Sequence, residues 1–152
     1  MDLLCANSRQ EEVLNMPYPE HEKDIEYCRE IHKKYGKSFY FGTLILSKDQ
    51  HDATCALYAF FRFPDEYVDT YFRDQKDIAL EKLERWKALW KACYEGIDFA
   101  GDDEEQMILR ATKYTFDTYK IPYEYSQAFL NAMVQDTFKE RYETYQELEG
   151  YM

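Results

Sequence analysis

The residues best suited to chemistry are two aspartates four positions apart, Asp65 and Asp69, with Arg62 one turn earlier. On a helix, residues at i and i+4 lie on one face, so these two carboxylates repel each other unless a cation lies nearby. Mg²⁺ relieves such repulsion, and in proteins it typically binds one or two carboxylates together with substrate phosphates. The spacing is therefore compatible with a magnesium–diphosphate site.

A solvated acidic surface is the commoner fate of such an aspartate pair, and the flanking residues decide between the two interpretations. The segments Tyr58–Phe61 and Tyr67–Val68 are more apolar than is usual for a surface face. Acidic groups embedded in an apolar helix need partners, because burying an unpaired charge is costly. The flanks therefore favour the metal site.

The composition favours a helical protein and argues against nucleic-acid binding. Among 152 residues, 45% are hydrophobic, and only 5 Gly and 4 Pro interrupt the chain. This length is enough to bury a core, and the scarcity of Gly and Pro suits helices better than strands and turns. The net charge of −11 would repel a phosphate backbone. An anionic substrate then requires a cation bridge or a local cluster of Arg and Lys.

Periodicity and capping signals predict five main helices, which position the aspartates. The first spans Glu22–Tyr35 and is ended by Gly36 at C′, and the second runs from Lys48 to about Tyr71 after a Ser47–Gln50 capping box. The third is capped by Asp74 and closed by Gly96, with a core seam of Ala79, Leu83, Trp86, Trp90 and Cys93. The fourth spans about Glu105–Tyr119, and the fifth starts at Pro122. The aromatic segment Lys37–Leu46 is predicted to be a turn or helical connector.

The remaining features are interpreted plainly. Residues 1–20 are predicted to form a loosely held leader without a secretory signal, and residues 21–152 a helical domain. The four cysteines are widely spaced, which is typical of free thiols in a reducing cytoplasm. His21, His32 and His51 are scattered along the chain and are interpreted as surface or satisfied residues rather than ligands.

The end of the chain carries a helix start signal with little helix after it. Thr144–Glu147 is a second capping box, and only five residues, Leu148–Met152, follow. An isolated helix needs roughly 12–15 residues to be even marginally stable. The pattern indicates that the sequence stops within a longer helical protein.

Three ordered motifs resemble the first half of the squalene/phytoene synthase family, over about Asp24 to Met152. They are Lys37-Ser-Phe-Tyr40; Ala56-Leu-Tyr-Ala-Phe-Phe-Arg62 followed by Asp65-x-x-x-Asp69; and Met133-x-x-Asp136 followed by Arg141-Tyr-Glu-Thr144. The resemblance implies an all-α, isoprenoid-synthase-type helical bundle, truncated to its N-terminal helices. It also implies head-to-head condensation of two prenyl diphosphates, geranylgeranyl or farnesyl diphosphate.

The resemblance also implies roles for particular residues and cofactors. Metal binding falls to Asp65, Asp69 and Glu66; other catalytic roles to Arg62 and Tyr58; and substrate binding to Ser38, Phe39, Asp136, Arg141 and Tyr142. The implied cofactor is Mg²⁺, with Mn²⁺ as an alternative, and NADPH only for a squalene-type product. A cytoplasmic protein with peripheral membrane contact for product release is expected.

Two departures from the family pattern and two other functions complete the expectations. Glu66 stands where the family usually has a second Asp, and Pro64 predicts a kink before Asp65. The second aspartate-rich motif of the family lies beyond the sequence. One alternative function is a non-catalytic helical protein that binds a partner or lipid. The other is a Mg²⁺-dependent hydrolase or cyclase acting on one prenyl diphosphate.

Overall fold

A computed structural model describes residues 21–71, 75–97, 103–138 and 144–151. Within these ranges there are seven α-helices and no strand, so the all-α prediction is confirmed. In chain order they are α1 (Glu22–Tyr35), α2 (Lys37–Thr43), α3 (Lys48–Tyr71), α4 (Lys76–Tyr94), α5 (Glu104–Tyr119), α6 (Tyr123–Phe138) and α7 (Tyr145–Tyr151). The predicted leader, residues 1–20, lies outside the described residues.

The longest helix, α3, begins at the predicted capping box. The Ser47 backbone N–H donates to Gln50 Oε1, and the Gln50 backbone N–H donates to Ser47 Oγ, both at 3.4 Å. These reciprocal bonds satisfy two donors that a helix start leaves without intrahelical partners. The helix then continues to Tyr71 with Pro64 inside it. The bounds of α1 and α3 agree with the prediction, and the connector between them is the short helix α2.

The later helices differ from their predicted starts by one or two residues. Gln75 is the N-cap of α4, and Asp74, the predicted cap, lies outside the described residues. Asp103 caps α5, because its side chain accepts a hydrogen bond from the Gln106 backbone N–H at 3.0 Å. Helix α6 begins one residue after Pro122, not at it. Shifts of one or two residues are common at helix ends, because terminal turns have few intrahelical bonds to define where the helix begins.

The core lies around α3 and α4, which pack on each other and against α5 and α6. The predicted seam of α4 is fully inside it, and Trp86 and Trp90 are buried. The ring of Phe60, on α3, lies 5.8 Å from Trp86 and 5.1 Å from Trp90 between centroids. Trp90 Nε1 donates to Ser126 Oγ at 2.8 Å, which connects α4 to α6. The tryptophans are therefore core residues, as expected.

Two bidentate ion pairs connect α1 to its neighbours. Arg29 donates from Nε and Nη2 to Asp52 on α3, at 2.6 and 2.9 Å. Arg110 on α5 donates from Nε and Nη2 to Asp24, at 2.9 and 2.7 Å. Both carboxylates are buried, so each pair fixes one register of two helices at the cost of desolvating its charges.

No helix within the described ranges is both long and apolar enough to cross a membrane.

The buried pairs generate a stability prediction. We expect Asp24→Ala to lower the free energy of unfolding by about 3–5 kcal/mol, because it leaves the Arg110 guanidinium partly buried without its carboxylate. Asp117→Ala is the matched control, since its pair with Lys113 is also on α5 but its side chain is 57% exposed, against 4% for Asp24. Asp117→Ala should lower the free energy of unfolding by about 0.5 kcal/mol or less. Urea unfolding measures both, and equal losses would contradict the prediction.

Candidate active site

Several of the predicted site residues meet at an open cavity of about 810 Å³, formed by α1, α2, α3 and α6. We call it the aromatic cavity. It is lined by Tyr35, Phe39, Thr54, Leu57, Tyr58, Phe61, Arg62, Asp65 and Phe129. Of the predicted site residues, the fold therefore brings together Phe39, Tyr58, Arg62 and Asp65.

One stripe of α3 supplies most of the cavity lining. Thr54, Tyr58, Phe61 and Asp65 follow each other at three- and four-residue intervals, which is the spacing of one helix face. Along this stripe the side chains change from the hydroxyl of Thr54, through the aromatic rings of Tyr58 and Phe61, to the carboxylate of Asp65. Phe129 comes from α6, and its ring lies 4.4 Å from that of Phe61 between centroids. The cavity is thus aromatic in its interior and charged at one edge.

Arg62 lies at the charged edge and has three neighbours. Its Nη2 is 3.2 Å from Glu66 Oε2, and its Nη1 is 3.8 Å from Asp65 Oδ2. Its guanidinium carbon lies 5.0 Å from the centre of the Tyr35 ring, a cation–π contact. These contacts hold the positive charge of Arg62 between two carboxylates at the cavity edge.

The carboxylates are not embedded in apolar surroundings, contrary to the expectation from their flanks. The side chains of Asp65 and Glu66 are 55% and 51% exposed. The flanking apolar residues Ala59 and Phe60 are buried, because they occupy the face of α3 that turns into the core. A helix can be apolar on one face and acidic on another, which the flanking sequence alone does not distinguish.

Electrostatics at Asp65 reflect its position between water and protein. Partial burial raises the pKa of the Asp65 carboxyl, the negative charge of Asp69 raises it further, and the Arg62 guanidinium opposes both. The influence of Asp69 is the like-charge repulsion expected from the i,i+4 spacing. A cation bound between these carboxylates would remove this repulsion.

The other predicted site residues lie elsewhere or outside the described residues. Ser38 and Asp69 are exposed, and neither lines the aromatic cavity. Glu66 and Arg62 line a second cavity of about 550 Å³. Asp136 is in α6. Arg141 and Tyr142 are outside the described residues.

In the parts of the chain that the structure describes, no three His, Cys, Asp or Glu side chains are arranged to hold a metal ion. The chemistry of the cavity edge nevertheless suits a shared site. Asp65 repels Asp69, and both side chains are exposed to an incoming ion. Because Mg²⁺ commonly completes its coordination with water and substrate phosphate, two carboxylates are a sufficient protein contribution.

A buried polar cluster behind Tyr58 is absent from the predictions. His32 Nδ1 lies 3.4 Å from Cys55 Sγ, and the same sulfur lies 3.7 Å from His51 Nε2. Both histidines are buried and have hydrogen-bond partners, so they fit the satisfied alternative of the prediction and not the surface one. The i,i+4 spacing of His51 and Cys55 was a usable signal, but His32 joins them only through the packing of α1 on α3. The expectation of free thiols is met at Cys28, Cys55 and Cys93.

The Tyr58 ring is confined from two sides. The His32 imidazole stacks on it, with ring centroids 4.3 Å apart and planes 22° from parallel. On the Gly36 side, a Cβ atom would lie 2.9 Å from three atoms of the Tyr58 side chain. Gly36 has φ −122°, so its place after α1 reflects this close approach and not a left-handed C′ conformation.

The sequence of the chain is similar to one protein family and to curated proteins. The model of the squalene/phytoene synthase family matches residues 32–152. A chloroplastic phytoene synthase of Daucus carota is 29% identical over 124 residues, which are 82% of this chain and 29% of that protein. A 15-cis-phytoene synthase of Synechocystis is 28% identical over 130 residues, 86% of this chain and 36% of that protein.

The chain thus spans about a third of the length of the curated relatives that it matches. No solved structure matches it.

The close approach of Tyr58 to Gly36 predicts that an alanine substitution destabilises the protein at Gly36 but not at Gly42. We expect Gly36→Ala to displace the Tyr58 ring and to lower the free energy of unfolding by about 1–3 kcal/mol through overpacking. Gly42→Ala is the control: it lies within α2, a Cβ there meets nothing within 4 Å, and alanine favours helix by up to about 1 kcal/mol. Chemical denaturation measures both. A Gly36→Ala protein as stable as the control would contradict the predicted clash.

Proposed function

The chain belongs to the squalene/phytoene synthase family, and from this membership we propose that its aromatic cavity binds a prenyl diphosphate. The complete protein would be a transferase that joins two such molecules head-to-head. The observation that carries the proposal is the layout of the cavity, in which an acidic and cationic edge adjoins an aromatic interior. A prenyl diphosphate has the same layout, a charged head on an apolar chain.

At the charged edge, Asp65 and Asp69 would share Mg²⁺ with the diphosphate, and Arg62 would supply further positive charge. Bound metal neutralises the negative charge that develops on a departing diphosphate. Arg62 is held beside Asp65 and Glu66, so its charge is directed at the edge before substrate arrives. Such preorganised charge lowers the barrier to ionisation of an allylic diphosphate.

In the interior, aromatic rings would stabilise the carbocation left by ionisation. Phe39, Tyr58, Phe61 and Phe129 line the cavity, and a ring face stabilises a cation by ~0.5–2 kcal/mol. Burial raises the pKa of Tyr58, with a further increase from Asp65 that Arg62 opposes, so its phenol stays protonated at neutral pH. A neutral wall suits a cationic intermediate because it offers no anion to trap it.

The finer assignments belong to the complete protein. The relatives are named phytoene synthases, which favours a phytoene-type product from geranylgeranyl diphosphate over a squalene-type product that needs NADPH. Substrate roles for Ser38, Asp136, Arg141 and Tyr142, and a metal role for Glu66, are proposed from the family motifs. Peripheral membrane contact for the apolar product stays a prediction, as does a cytoplasmic location; the carrot relative is named chloroplastic.

A binding experiment tests the charged edge. Calorimetric titration of the full chain with geranylgeranyl diphosphate should detect binding in Mg²⁺ that EDTA abolishes. We expect Asp65→Asn and Asp69→Asn each to weaken it by about tenfold or more, since each removes a metal ligand. Asp117→Asn is the matched control, because its carboxylate is as exposed as that of Asp65 but lies on α5.

The results separate the candidate functions. Equal binding by Asp65→Asn and by the control would contradict the metal site. If the complete protein, incubated with geranylgeranyl or farnesyl diphosphate and Mg²⁺, releases only free alcohol and diphosphate, with no C40 or C30 hydrocarbon, head-to-head transfer fails and hydrolysis is favoured. If no prenyl diphosphate binds, the protein is better described as a non-catalytic helical member of the family.

A further inference from the structure

The buried cluster behind the aromatic cavity is a directed chain of hydrogen bonds. The Thr43 hydroxyl donates to the Tyr40 carbonyl oxygen at 2.7 Å, so its oxygen is left to accept from His51 Nδ1 at 3.1 Å. With its proton on Nδ1, neutral His51 accepts at Nε2, where the Cys55 thiol donates. Cys55 Sγ in turn accepts from His32 Nδ1. Each donor thereby has one acceptor.

This order determines the state of His32. Its proton is on Nδ1, and its Nε2 is a bare lone pair with no hydrogen-bond partner among the described residues. The residue is fully buried, and burial lowers the pKa of its imidazole, with His51 lowering it further. The groups that face it are His51, Cys55 and Tyr58 from α3 and the Tyr40 ring from α2.

The unpartnered Nε2 atom indicates that His32 does more than fill space in the core. A buried polar atom without a partner is destabilising, and an apolar ring would occupy the same space without that cost. What the imidazole adds is the Nδ1 bond to Cys55, which determines the plane of its ring. That plane is the one on which Tyr58 stacks, and Phe39 packs edge-on against the same ring at 4.9 Å. Both Tyr58 and Phe39 line the cavity.

We propose that His32 is a positioning residue that sets the Tyr58 ring as a wall of the aromatic cavity, with its own plane fixed by the hydrogen-bond chain through Cys55 and His51 to Thr43. A Cβ at Gly36 would lie 2.9 Å from three atoms of the Tyr58 side chain, so this glycine permits the close approach of the Tyr58 ring to the end of α1. The role in ligand binding rests on the proposed function, because it requires the prenyl chain to contact Tyr58. The positioning itself does not depend on it.

Fluorine NMR of the full chain labelled with 3-fluorotyrosine tests the positioning. Tyr58→Phe identifies the Tyr58 resonance. We expect His32→Leu to shift and broaden this resonance, because the stacked ring is lost, whereas His32→Phe keeps a ring but loses the Nδ1 bond to Cys55 and should broaden it with a smaller shift. Cys55→Ala should broaden it by freeing the imidazole plane. Ile25→Val, a buried change on the same helix, is the control for general loosening and should leave it unchanged.

Binding of two ligands then distinguishes an effect on the Tyr58 wall from an effect on the charged edge. In Mg²⁺, His32→Leu should weaken binding of geranylgeranyl diphosphate by about two- to tenfold, the size of one aromatic contact, and leave that of inorganic diphosphate unchanged. An unshifted Tyr58 resonance in His32→Leu overturns the proposal. An unbroadened Tyr58 resonance in Cys55→Ala overturns the role proposed for the hydrogen-bond chain. If wild-type protein binds neither ligand but His32→Leu shifts the resonance, the proposed function fails and the positioning stands.

Discussion

The register of α3 against α1 is the constraint on which the rest of the structure depends. Helix α3 presents Ala56, Ala59 and Phe60 to the core and, on an adjoining face, the residues that line the aromatic cavity. A rotation of α3 would therefore damage the core and the cavity together. The bidentate pair of Arg29 with Asp52 fixes this register, because only one alignment gives the buried carboxylate of Asp52 both hydrogen bonds from the partly buried Arg29.

From this register follows the separation of charge within the candidate site. The middle of the stripe on α3 is aromatic, and its C-terminal end reaches solvent, where Asp65, Asp69 and Arg62 lie. Exposed carboxylates can exchange water for a metal ion at low cost, whereas buried ones would first have to be desolvated and partnered. Asp65 is thus accessible to metal and diphosphate, but its apolar flanks do not support a metal site.

The aromatic wall depends on contacts that pass between helices. Tyr58 is on α3, His32 on α1, Gly36 between α1 and α2, and Thr43 at the end of α2. The short helix α2 follows α1 after a single residue, and this brings Thr43 to His51 and Phe39 to His32. Sequence-distant groups are held within 4–5 Å of one another because α1 and α3 pack along their lengths. Close packing of this kind transmits a change at one residue to its neighbours.

The sequence by itself determined the helices, their approximate ends and the spacing of the chemical groups, because these depend on local physics: the 3.6-residue repeat, capping and the i,i+4 geometry. The bounds of α1 and α3, the buried seam of α4 and the Ser47–Gln50 capping box were all predictable in this way. The family was also recognisable, because ordered motifs are properties of the sequence.

Only the tertiary structure decided that Asp65 is exposed, that Phe129 of α6 joins the wall, that Gly36 is needed for close approach to Tyr58, and that His32 meets Cys55 and His51. These depend on which helix faces meet, and a periodic pattern identifies an apolar face without naming the residues that it will touch.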